Sequence, residues 1–221
     1  MKLAIFDLDN TLLKGDSDFM WGQFICKHGL VDREAFESKN RDFHLQYQAG
    51  TLDPAEFLEF ALKPLTRYSP GELARWHKRY MKDVIMGCIE DSARALVEQH
   101  REMGHTLLVI TATNEFVTAP IVAEFGIEHL IAPRVELVDG RYTGKSPGSP
   151  CLGEGKVIRF NEWLAETGNS VEESWFYSDS RNDIPLLEVV EHPIAANPDD
   201  TLRAHAKSKG WPIMELFAQT Q

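Results

Sequence analysis

The chain has 221 residues, 43% of them apolar, with 23 Lys and Arg against 34 Asp and Glu, a formal net charge of −11. That length accommodates one large domain or a domain with a sizeable insertion. The excess of acid argues against binding to nucleic acid or an anionic membrane, and no apolar run reaches the roughly 20 residues that span a bilayer.

The first segment, Lys2–Phe6 (KLAIF), reads as a buried strand that ends at Asp7-Leu8-Asp9-Asn10-Thr11. MKLAIFDLDN breaks its apolar stretch with two aspartates, unlike a secretory signal. From Asp16 to Ile89 no strand pattern occurs, and four helices are expected: Asp18–His28, Glu34–Tyr47, Pro54–Leu62 and Leu73–Ile85. Asp53 is placed to cap the third, and Ser69-Pro70-Gly71-Glu72 has the form of a capping box for the fourth. Arg94–Met103, stopped by Gly104, then leads into a second strand at Thr106–Ile110.

Helices follow at Asn114–Phe125 and Glu154–Thr167, each ended by a glycine suited to the left-handed position beyond a helix. Between them, Arg134–Thr143 reads as a hairpin around Asp139-Gly140. Strands at Ser174–Ser178 and His192–Ala196 and a helix over Asp199–Ser208 complete the chain. Strands alternating with helices of this length predict a parallel sheet covered on both faces, with ligands bound beyond the carboxyl ends of its strands. Cys26, Cys88 and Cys151 are too few and too scattered for a disulfide framework or zinc site, so a reducing cytoplasm is expected.

The chemistry gathers at strand ends. Asp7 and Asp9 alone are as consistent with an ordinary turn, since Asp and Asn are common turn formers. Asp179 and Asp183, after a second strand, change the balance. Carboxylates from two strand ends at one sheet edge repel, and a hard divalent cation such as Mg²⁺ resolves the conflict. Thr111, with Ala112 and Thr113 before a helix start, offers a hydroxyl and backbone N–H groups to a phosphate oxygen. Lys156 stands at a helix N-terminus, where the helix dipole disfavours it, so it needs an anionic partner. Gly140–Ser146 imitates a P-loop but has one residue too few between its glycines and runs into Pro147.

Asp7-x-Asp9-x-Thr11 after a strand, then Thr111, Lys156 and the pair Asp179 and Asp183 resemble, in order, the four motifs of the haloacid dehalogenase (HAD) superfamily. The inserted helices, with Asp139–Gly144 and Gly155-Lys156, are similar to its subfamily IB and to phosphoserine phosphatases. Ser178 departs from the Gly that many relatives carry there. The resemblance implies an α/β, Rossmann-like three-layer sandwich, with a core of residues 1–15 and 90–221 and an all-helical cap of residues 16–89. It implies a Mg²⁺-dependent phosphomonoesterase working through an aspartyl phosphate. In that scheme Asp7 is the nucleophile, Asp9 the general acid and base, and Thr111 and Lys156 the holders of the phosphoryl group. Asp7, Asp9, Asp179 and Asp183 would serve the metal, and Thr11, Ala112, Thr113 and Asn182 the substrate's phosphate side.

Asp16 and Asp18 are candidates to read an amine on the leaving group, and Arg41 and Arg67 to read a carboxylate. A small phosphate ester of the phosphoserine or histidinol phosphate type is expected, handled by a cytoplasmic monomer or homodimer. The alternatives are a phosphotransferase and a non-catalytic, receiver-like phosphate acceptor.

Overall fold

The structure is a computed structural model and describes residues 1–217. Strands β1 (Lys2–Phe6), β2 (Thr106–Ile110), β6 (Glu173–Ser178) and β7 (His192–Ala196) lie where the sequence places them. Two short strands join them, β3 (His129–Ile131) and β8 (Ile213–Met214). All six form one parallel sheet in the order β3-β2-β1-β6-β7-β8. Segments of three and two residues carry no readable period. Pairing makes them strands, through Leu108 opposite His129 and Ala195 opposite Ile213.

Alternation along the strands divides the core. Leu3, Ile5, Leu108, Ile110 and Phe176 face one way, packing with Phe160 of α7 (Glu154–Thr167), Leu186 and Leu187 of α8 (Ile184–Leu187) and Leu202 of α9 (Asp200–Lys209). Ala4, Phe6, Leu107, Val109 and Tyr177 face the other way. They meet Ala93, Leu96 and Val97 of α5 (Asp91–Glu102) and Val117 and Ile121 of α6 (Glu115–Glu124). Period-2 burial on both faces makes the three-layer α/β sandwich.

Between β1 and α5 come α1 (Ser17–Lys27), α2 (Arg33–Ala49), α3 (Pro54–Leu62) and α4 (Pro70–Asp83). Asp16, Asp32 and Asp53 cap the first three through side-chain acceptors, and Ser69 and Glu72 close the capping box of α4. The cap places the start of α4 at Pro70, ahead of the first apolar residue, Leu73. The insert is not detached from the sheet. Trp21 is 4% exposed and meets Tyr80 of α4 and Phe116 of α6, so the core on that face of the sheet continues into α1 and α4. Burying such a side chain contributes about 2–3 kcal/mol. The hairpin of β4 (Leu137–Val138) and β5 (Arg141–Tyr142) turns at Asp139 and Gly140, both with positive φ. Its Tyr142 packs on the cluster of Leu62, Leu65 and Leu73, bracing the insert from below.

Candidate active site

Asp7 is the first residue beyond β1, and its N–H donates to the Tyr177 carbonyl at 2.9 Å, continuing the ladder to β6. Asp179 is the first residue beyond β6. These adjacent strands stand where the strand order reverses, β1 linking on toward β2 and β6 toward β7, so their carboxyl ends open a crevice. Thr11 locks the two loops together, accepting from the Asp179 N–H at 3.0 Å and donating to the Asp179 carboxylate at 3.3 Å.

Lys156 supplies the local cation. It is 2% exposed, and its ammonium donates to Asp7 at 2.8 Å and to Asp183 at 2.7 Å. Two buried carboxylates therefore explain a lysine in the first turn of α7, and they hold its pKa above the ordinary lysine value despite burial. Gly155 allows the approach, because a Cβ there would stand 2.1 Å from the Pro150 carbonyl oxygen. Ser178 has a use as well. Its hydroxyl donates to Asp183 at 2.7 Å, fixing the same oxygen that faces Lys156.

Asp9 is held differently. One oxygen accepts from the Ser17 N–H at 2.7 Å and the other from the Thr113 hydroxyl at 2.8 Å. Burial, and then the charge of Asp16, push its pKa up to about 7. Burial also raises Asp7, to about 6, against the opposing pull of Lys156. A carboxyl that exchanges its proton near neutral pH suits general acid and base work. Thr111 is buried beneath the same crevice, its hydroxyl accepting from the Thr113 N–H at 3.2 Å.

Above these groups lies a cavity lined by Asp7, Asp9, Thr111, Ala112 and Thr113 from the sheet side. Asp16, Asp18 and Phe19 line it from the start of α1, and Asn40, Phe43, His44 and Tyr47 from one face of α2. Asp18 is 7% exposed, accepts from the Asn114 amide at 3.2 Å, and has its pKa raised well above the ordinary value by burial. Among the described residues no Arg or Lys lines this cavity.

Of the residues expected from sequence, Asp7, Asp9, Thr111, Ala112, Thr113 and Asp16 come together here, with Lys156, Asp179 and Asp183 behind Asp7. Thr11 is fully buried and serves Asp179, and Asn182 lies in the 3-10 turn Arg181–Asp183, outside the cavity lining. Arg41 is a correction. It is exposed on α2, because the cavity face of that helix is the Asn40, Phe43, His44 and Tyr47 row and Arg41 points away from it. Arg67 lies in a separate surface groove with Lys39 and Lys63. The sequence reading overlooked His44, Asn40 and Tyr47. Their one signal is helical spacing, which a packed or solvated face shows equally.

A family model described as haloacid dehalogenase-like hydrolase matches residues 4–188. A histidinol-phosphatase of Neisseria meningitidis serogroup C is 48% identical over 218 residues, covering 97% of this chain and 98% of that protein. A Bordetella pertussis Tohama I protein of unknown function has a crystal structure that superposes with a TM-score of 0.93 at 46% identity, over 98% of this chain and 99% of that one. A substrate-bound phosphoserine phosphatase superposes with a TM-score of 0.71 at 18% identity, over 97% and 92% of the chains, a likeness of fold.

Proposed function

Since the chain belongs to the haloacid dehalogenase-like hydrolases and is a phosphatase of phosphate esters, we propose that its substrate is a small amine-bearing phosphomonoester without a carboxylate, of the histidinol phosphate type. One observation carries this. The leaving-group end of the cavity presents Asp16 and Asp18 among Phe19, Phe43 and Phe57, and among the described residues no Arg or Lys lines it. Such walls favour a cation attached to a ring, and they leave a carboxylate like that of phosphoserine unpaired among acids. The name of the Neisseria relative points the same way. A receiver-like acceptor is disfavoured by the acceptor's place after β1 and by the helices that follow it.

In this reading residues 1–15 and 90–221 are the catalytic core, and residues 16–89 are a cap that reads the leaving group. Asp7 attacks phosphorus in line while Asp9 gives its proton to the departing alkoxide oxygen. Asp9 then takes a proton from the water that cleaves the resulting aspartyl phosphate, which frees phosphate and restores both carboxyls. Lys156 holds Asp7 in place and offsets charge on the phosphoryl oxygens, and Thr111 and the backbone at Ala112 and Thr113 receive one of those oxygens. The donor set fits a hard cation. Asp7, Asp179 and Asp183 set three carboxylates against one ammonium, all oxygen donors. Among the described residues no three acidic, His or Cys side chains form a metal cage by themselves. Mg²⁺ would therefore rest on Asp7, Asp179 and the main-chain carbonyl of Asp9, with Asp183 orienting from behind, and supply further neutralisation of the transferring phosphoryl group.

The test is a turnover panel of histidinol phosphate, phosphoserine and sugar phosphates with and without Mg²⁺, run on the wild type and Asp7→Asn. Histidinol phosphate should exceed phosphoserine in kcat/KM by at least about tenfold. Asp7→Asn should lose about 10⁴-fold or more on every ester. A preference for phosphoserine or for sugar phosphates refutes the substrate, and an active Asp7→Asn refutes the nucleophile.

A further inference from the structure

His44 is a cavity residue to which the phosphoryl chemistry assigns no part. Its Nδ1 lies 3.1 Å from Asp16 Oδ2, its Nε2 lies 3.0 Å from the Gln48 amide nitrogen, and its ring stacks on Phe19 at 4.5 Å. An amide nitrogen only donates, so in this arrangement Nε2 accepts and the ring's single proton sits on Nδ1, donated to Asp16. The imidazole is then neutral. Asp16, whose other oxygen accepts from the Phe19 N–H at 2.9 Å, then faces the cavity beside an uncharged ring.

We propose that His44 is the positioning residue that governs how strongly Asp16 draws a substrate amine, giving discrimination for amine-bearing esters while it is neutral and relaxing that discrimination once it is protonated. This rests on the amine reading of the cavity given above. Protonation needs little rearrangement, since a half-turn of the Gln48 amide offers Oε1 to the new Nε2–H. The imidazolium then cancels the Asp16 charge from hydrogen-bond distance, and a substrate ammonium meets a neutral pair. By linkage, an ammonium bound at Asp16 expels the proton from His44 to the same degree.

The surroundings permit the switch. The titratable groups on this side of the cavity are Asp16 and Asp18 from the start of α1, Asp9 from the loop after β1, and Tyr47 from α2 itself. The segment leading into α3 and α3 itself contribute only Leu52, Pro54, Phe57 and Leu58. Among the described residues no lining Lys or Arg competes for Asp16. The hydrogen bond to Asp16, opposed by partial burial, raises the His44 pKa above the ordinary histidine value of 6.5, which moves the change up toward neutral pH.

The experiment compares phosphoethanolamine with ethyl phosphate, two esters that differ by one amine. The ratio of their kcat/KM values is followed from about pH 8 to about pH 5. The ammonium lowers the phosphate's second pKa in phosphoethanolamine, so each kcat/KM is first divided by that ester's own dianion fraction; the catalytic groups are common to both, and the corrected ratio isolates the amine. In the wild type the ratio should fall about tenfold over that range, carried by the KM of phosphoethanolamine. His44→Asn keeps a neutral donor to Asp16 and should hold the ratio high and flat, while Asp16→Asn should hold it low and flat. A wild-type ratio above one that does not change with pH, or one that falls equally in His44→Asn, overturns the role of His44 and leaves the amine reading standing. A wild-type ratio near one at every pH overturns both.

Discussion

Replacing Lys156 by Met keeps the length and apolar stem of the side chain and removes only its charge. The loss falls on a group that is 2% exposed and bonded to two carboxylates, Asp7 at 2.8 Å and Asp183 at 2.7 Å. Removing one partner of a buried ion pair costs about 3–5 kcal/mol, because the remaining charge is left without compensation. Against a total stability of about 5–15 kcal/mol this is a large fraction. At about 2 kcal/mol per molar of urea it lowers the unfolding midpoint by about 2 M. The cost depends on pH in a defined direction. The Asp7 pKa is already raised to about 6 by burial while Lys156 pulls it down. Without the lysine it rises further above its unfolded value, so the Asp7 share of the cost is largest at pH 8 and small near pH 5, where Asp7 is protonated and only the lost bond to Asp183 still weighs on the variant. Urea melts of wild type and Lys156→Met, both in chelator, at these two pH values test this. A gap between them that is absent at pH 8, or that does not narrow toward pH 5, refutes the assignment of Lys156 as the compensating charge.

Gly155→Ala places a methyl group 2.1 Å from the Pro150 carbonyl oxygen, a main-chain atom that yields only with the loop. It should displace the first turn of α7 and cut kcat at least about tenfold through Lys156, more than it changes KM; steady-state kinetics with wild-type values would contradict the close approach. His100, which contacts the Tyr177 hydroxyl at 2.8 Å and the His105 ring nitrogen at 2.8 Å, has its pKa lowered to about 4, chiefly by burial. Below pH 6.5 the unfolded chain therefore takes up a proton that the folded chain refuses. The stability of wild type relative to His100→Asn should fall by up to about 1.4 kcal/mol per pH unit between pH 6.5 and 4. Paired urea melts showing a constant difference across that window would refute it.

Asp7, Thr111, Lys156 and Asp179 were legible in the sequence because each sits next to a strong local signal, a strand end or a helix start, and the order of those signals is fixed along the chain. The unbroken apolar run Leu3, Ala4, Ile5 and Phe6 likewise foretold a strand buried on both faces. Other features depend on contacts between distant segments. Strand β3 exists because residues 129–131 find the edge of β2. Ser178 and Thr11 gain their purposes from Asp183 and Asp179. The face of α2 that looks into the cavity was decided only when α1 and α3 packed on either side of it. Helical period marks which residues share a face and not what that face meets, so Arg41 and His44 were indistinguishable in the sequence. Local propensity acts within a few residues, and the substrate end of this site is assembled from side chains on separate helices, which only tertiary packing brings within hydrogen-bond reach.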